Sequence, residues 1–102
     1  FLHSFPTRRS SDLDFEFIVE AQGALHKSRP EVFAQCMERL GGADPAACAV
    51  CEDAIYAAST AQKAGYYVIG IADPASAADE AQMRRVCDQF LPAWSALDWT
   101  RA

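Results

Sequence analysis

Two acidic residues stand side by side where an apolar run stops: Cys48-Ala49-Val50-Cys51 is followed by Glu52-Asp53. Such a run reads as a buried strand, and open α/β sheets bind ligands beyond the carboxyl ends of their strands. Adjacent carboxylates at that end are hard oxygen donors, suited to Mg²⁺ rather than to a softer metal. A plainer role suits them equally, as solvated loop acids or with Asp53 capping the next helix. Lys27 is the other candidate. It follows a second apolar run, Phe15-Glu16-Phe17-Ile18-Val19. An ammonium there could neutralise a phosphate and a nucleophilic carboxylate. An exposed surface lysine would look the same in sequence.

An alternation of strands and helices must position these groups. Residues 15–19 read as the first strand, followed by a loop through Lys27. Pro30 suits a first helical position and Glu31 the positive end of the helix dipole. Phe33, Cys36, Met37 and Leu40 then recur at i, i+3, i+4 and i+7, one apolar helix face that Gly41-Gly42 ends. Residues 47–51 are the second strand. A second helix is expected to about Ala64, with Gly65 as its cap. Its Ala54, Ala57, Ala58, Ala61 and Ala64 form a stripe of small residues that can lie close on a sheet. Residues 66–71 are the third strand, and Asp73-Pro74 turns the chain. A polar helix over about 77–86, a short segment near Phe90 and a last piece around Trp94–Trp99 complete the pattern. Strand, helix, strand, helix, strand predicts an α/β fold of three parallel strands with flanking helices, built from right-handed crossovers.

Composition narrows the function classes. A chain of 102 residues is one domain at most. Its formal charge is −5, and Arg8, Arg9 and Asp12 make residues 3–13 net positive, so the remainder is more acidic still. That argues against a nucleic-acid surface, which needs a basic patch. The apolar run at 66–72 is far too short for a membrane span, and no secretory pattern is present. A cytoplasmic protein with reduced Cys36, Cys48, Cys51 and Cys87 is expected. The Cys48-x-x-Cys51 spacing suggests zinc, but an odd separation along a strand points side chains to opposite faces, and there is no second Cys or His pair. Trp94 and Trp99 are expected to pack against the helix layer, and Glu80 and Arg84 to lie on a solvated helix face.

Taken in order, KSRPEVF, a helix ending LGG, and CAVCEDAIYAASTAQKAGYYVIGI resemble the second half of the haloacid dehalogenase superfamily, in its phosphatase and β-phosphoglucomutase-like branch. The resemblance covers residues 14 to about 98. It implies an incomplete Rossmann-like core. It matches Lys27 to the lysine that contacts the phosphoryl group and the nucleophile, and Glu52 and Asp53 to the acidic pair that holds Mg²⁺ directly or through water. Ser28 stands where the family often has Pro, and His26, where it often has Gly, reads as incidental. The implied reaction is hydrolysis of a small phosphorylated metabolite through an aspartyl-phosphate, with Mg²⁺ and the lysine offsetting charge on the transferring group. A phosphomutase of the β-phosphoglucomutase type is the alternative. A non-catalytic α/β interaction module is a third reading. A receiver-like module would need its lysine after the acidic pair, whereas Lys27 precedes it.

The nucleophile motif of that family is an apolar strand ending in D-x-D-G. Asp12-Leu13-Asp14 has the spacing, but TRRSS precedes it and Phe15-Glu16 follows, so these are not expected to be the catalytic pair. Ser10 and Ser11 likewise lack the strand that a phosphate-binding hydroxyl needs. Residues 3–13, HSFPTRRSSDL, match at all eleven positions a translated short-read sequencing adapter. The expected organisation is therefore a non-native tail over 1–13 and the C-terminal half of a hydrolase core over 14–102, with the central nucleophile strand and the cap missing. A chain so composed is expected to show no turnover and marginal stability.

Overall fold

The computed structural model describes residues 2–4, 16–17, 19–98 and 100. Along them run β1 (Leu2–Ser4), α1 (Glu31–Arg39), β2 (Cys48–Glu52), α2 (Ile55–Lys63), β3 (Tyr67–Ile71), α3 (Glu80–Val86) and β4 (Gln89–Leu91). Short 3-10 turns occupy Gly23–Leu25, Pro45–Ala47, Pro74–Asp79 and Trp94–Ala96. The sheet order is β1-β2-β3-β4. Strands β2, β3 and β4 are parallel, and β1 joins the outer edge of β2 in the antiparallel sense, with Leu2 opposite Val50 and Ser4 opposite Cys48.

Strand parity divides the core. Cys48, Val50 and Val68 face the helices and pack with Val32 and Phe33 of α1, Ala57, Ala58 and Ala61 of α2, and Met83 of α3. Ala49, Cys51, Ile69 and Leu91 face the opposite side, where Tyr67 and Leu97 pack on them. Cys48 and Cys51 therefore lie on opposite faces of the sheet, as their spacing predicts, and all four cysteines are free thiols. The alanines of α2 have no exposed surface. On the helix side of that contact the buried side chains are methyl groups alone, set against Val50 and Val68 of the sheet. Gly41 and Gly65, at φ +83° and +94°, follow α1 and α2 in the left-handed region that ends helices at little steric cost for glycine. Among the described residues no helix is long and apolar enough to cross a membrane.

Three parallel strands are present, but not the three expected. Phe17 and Val19 lie outside any strand, while residues 14, 15 and 18 fall outside the described set. The third parallel strand is Gln89–Leu91, at the short segment near Phe90. The reason is edge availability. Strand β2 already has a partner on each side, and neither Phe17 nor Val19 pairs with it. Val19 instead packs on the helix-side core, and the Arg39 guanidinium lies 4.2 Å from the Phe17 ring centre, a cation–π distance. The start of the tail expected over 1–13 contributes β1, and residues 5–13 lie outside the described set. The helix expected over 77–86 begins at Glu80, after a 3-10 stretch from Pro74 whose Ser76 is not helical. Trp94, expected against the helix layer, is 47 % exposed, and Trp99 lies outside the described residues.

Helix α3 meets the sheet at Gly70. A Cβ there would lie 2.6 Å from Cys87 Sγ, 3.0 Å from Phe90 Cδ1 and 3.1 Å from Met83 Cε. Overpacked cores lose about 1–3 kcal/mol. Gly70→Ala is expected to lower urea-unfolding stability by about that much, and Cys87→Ala in the same chain to restore part of the loss. Burial, helped by the neighbouring Asp88 charge and opposed by a backbone hydrogen bond from Gly70, pushes the Cys87 thiol from 9.0 up to about 11. A thiol raised in the fold contributes stability that is present below pH 9 and lost as pH climbs through 11. Unfolding free energy is expected to fall over that window, and Cys87→Ala to flatten the slope.

Candidate functional site

Glu52 is the last residue of β2 and shares parity with Cys48 and Val50, so its side chain belongs to the helix side of the sheet. Its side chain keeps only 2 % of its surface exposed. A carboxylate that deeply buried needs a charged partner and hydrogen bonds. Lys27 supplies the first: its Nζ donates to Glu52 Oε2 at 2.8 Å, with the lysine side chain 32 % exposed. The backbone N–H of Asp53 donates to Glu52 Oε1 at 3.2 Å. Both oxygens of Glu52 are thereby engaged. Partial burial alone would lower the Lys27 ammonium. The hydrogen bond and charge of Glu52, aided by Tyr56 and Asp53, outweigh it and hold the lysine above its ordinary value.

The loop that delivers Lys27 is braced on both sides. The Gly23–Leu25 turn, with Gly23 at φ +56°, closes through His26 N–H donating to Gly23 O at 3.2 Å. Arg29 N–H then donates to His26 O at 3.0 Å, and α1 starts immediately after Pro30. The Ser28 N–H donates to His26 Nδ1 at 3.1 Å, so that nitrogen carries no proton, and the Ser28 hydroxyl lies 2.9 Å from it. The imidazole stacks on Tyr56 of α2, with ring centres 5.4 Å apart and planes 21° apart. His26, which reads as incidental in sequence, thus ties the lysine loop to α2. Nothing in its spacing signals this, because the stack joins residues 30 positions apart.

Asp53 does not cap α2. The cap position is Ala54, with no side-chain hydrogen bond, so the capping role considered for Asp53 does not hold. Half-buried, Asp53 lines a groove of about 320 Å³ with Ile71, Asp73, Glu80, Phe90 and Pro92. This groove runs along the carboxyl ends of β2, β3 and β4, where α/β sheets bind ligands. The structure therefore brings Lys27, Glu52 and Asp53 to one place. Asp12, Asp14, Ser10 and Ser11 lie outside the described residues.

The donor chemistry fits a hydrated Mg²⁺, which takes one or two carboxylates and keeps several waters. Asp53 is the direct ligand such an ion would use, while Glu52, engaged at both oxygens, would act from behind a water. Among the described residues no group of three or more His, Cys, Asp or Glu side chains is placed to hold a metal, so an all-protein cage is not formed. Comparison with protein-family models, curated proteins and solved structures gave no match.

Removing the lysine would strand a buried carboxylate. Breaking a fully buried pair costs about 3–5 kcal/mol, and the partial exposure of Lys27 reduces this to about 1–3 kcal/mol. Lys27→Ala is expected to destabilise the fold by that amount in urea unfolding, and Lys27→Ala with Glu52→Gln to recover part of it.

Proposed function

We propose that the Lys27–Glu52–Asp53 constellation is the charge-compensating part of a Mg²⁺-dependent phosphoryl-transfer site, of the kind used by haloacid dehalogenase-like phosphatases on small phosphorylated metabolites. The observation that carries this reading is the 2.8 Å contact between Lys27 and Glu52 beside Asp53, at the carboxyl end of a parallel strand. The three side chains sum to a charge of −1. That repels a phosphate dianion until a divalent cation reverses the sign. Mg²⁺, when bound, would supply Lewis-acid stabilisation of the transferring oxygens. Asp53 would orient that ion, Glu52 would hold the Lys27 ammonium in place, and Lys27 would meet charge developing on the phosphoryl group.

The nucleophile is not among these residues. The sequence contains no apolar strand ending in D-x-D-G, and the outer edge of β2 carries Leu2–Ser4 in the antiparallel sense. In this reading the chain binds Mg²⁺ and phosphate without turning a phosphomonoester over. Purified protein is expected to hydrolyse p-nitrophenyl phosphate no faster than buffer, with or without EDTA. Titration with MgCl₂ should shift the amide resonances of Glu52 and Asp53 saturably, and Asp53→Asn should abolish the shift. EDTA-sensitive hydrolysis would overturn the assignment of inactivity. Amides that ignore Mg²⁺ would overturn the site itself.

A further inference from the structure

The outward stripe of α2 carries a second constellation. Tyr56, Ser59, Thr60 and Lys63 recur at i, i+3, i+4 and i+7, one face of a helix. Together with Ser28 and Pro30 of the facing loop they line an open groove of about 330 Å³. It is distinct from the groove that contains Asp53, and the two share no lining residue.

Three features give this groove the character of a binding site. The first is a fixed aromatic surface. Tyr56 is one of two large apolar side chains left prominently exposed among the described residues, at 47 %. It is also held in place, stacked on an imidazole that Ser28 orients through Nδ1. An exposed ring already held in one orientation loses little entropy on meeting a flat ligand. The second is charge. Lys63 is the only ionised residue lining the groove, in a chain of formal charge −5, and it has no ion-pair partner among the described residues. The third is direction. Helical side chains lean toward the N-terminus of their helix, so Lys63 shares its side of the groove with the turn that carries Ser59 and Thr60. Thr60 Oγ1 is committed to Tyr56 O at 2.9 Å, so Ser59 is the hydroxyl available to a ligand on that turn.

We propose that this groove binds a compact aromatic carboxylate, with its ring against Tyr56 and its carboxylate beside Lys63 and the Ser59 hydroxyl. One cation matches one negative charge, and the volume lies at the small end of ligand pockets. Nothing in the proposal depends on the phosphoryl-transfer reading, since neither Glu52 nor Asp53 lines the groove.

Benzoate is the probe, followed through amide resonances of the full chain, with acetate as the ringless control and benzyl alcohol as the uncharged one. Benzoate is expected to shift Tyr56, Ser59, Thr60 and Lys63 saturably, and both controls to bind more weakly. Lys63→Gln should weaken benzoate about two- to fivefold, the scale of an exposed charge contact. Tyr56→Ala should weaken it by a similar factor. Both substitutions are at exposed positions of α2; Tyr56→Ala also removes the stack on His26, so amides of the buried strands β2 and β3, rather than those of the 26–28 loop, report that the fold is kept. Asp53→Asn should leave benzoate affinity unchanged, which separates this groove from the proposed Mg²⁺ site. No saturable binding, equal binding of acetate, shifts centred on Lys27 and Asp53, or an unaltered affinity in Lys63→Gln would each overturn the inference.

Discussion

A carboxylate buried at the end of the central strand pair sets the terms for much of this structure. Glu52 cannot stay charged on the helix side of the sheet without a cation and hydrogen-bond donors. The ammonium comes from a loop 25 residues earlier in the chain, and a backbone donor comes from Asp53. The Gly23–Pro30 loop that carries the ammonium leads directly into α1. It also brings His26 over Tyr56, so that the loop and α2 share an aromatic stack. One buried charge thereby couples β2, the lysine loop and two helices.

The second constraint is steric. Small residues stand at two contacts on the helix side of the sheet: the alanines of α2, and Gly70 where α3 and Cys87 come down. These let the backbone layers approach closely, and they leave little room for added volume. The acidic ridge at the carboxyl ends of β2, β3 and β4 and the aromatic-cationic stripe of α2 consequently occupy different surfaces. Glu52 and Asp53 belong to the sheet ends, and Tyr56 and Lys63 to the outward face of a helix whose buried residues are all alanine. The groove lined by Lys63 and the groove lined by Asp53, Asp73 and Glu80 accordingly share no residue.

Strand β1 illustrates how pairing overrides composition. Residues 15–19 have the β-branched and aromatic character of a strand, whereas Leu2-His3-Ser4 does not, yet it is the latter that lies on β2. Backbone ladder bonds are insensitive to side-chain identity, and an open edge accepts whatever segment reaches it. Of the apolar run, Val19 packs on the helix-side core and Phe17 lies under Arg39.

Local patterning determined a good deal by itself. The i, i+3, i+4, i+7 run from Phe33 to Leu40 located α1, the alanine stripe located α2 and its buried face, and the glycines after each marked where they end. The continuous apolar runs at 48–51 and 66–71 located β2 and β3, and the period of two put Cys48 and Cys51 on opposite faces. All of these depend on neighbours within a few residues, where covalent geometry fixes which side chains share a face. The tertiary structure alone decided which segments fill the sheet edges, that β4 is Gln89–Leu91, that Lys27 is paired rather than solvated, that Asp53 is no helix cap, and that His26 stacks on Tyr56. Apart from the Asp53 cap, which turns on where α2 starts, each of these joins residues more than a dozen positions apart or depends on an edge that another segment can occupy first, and no local period encodes such competition.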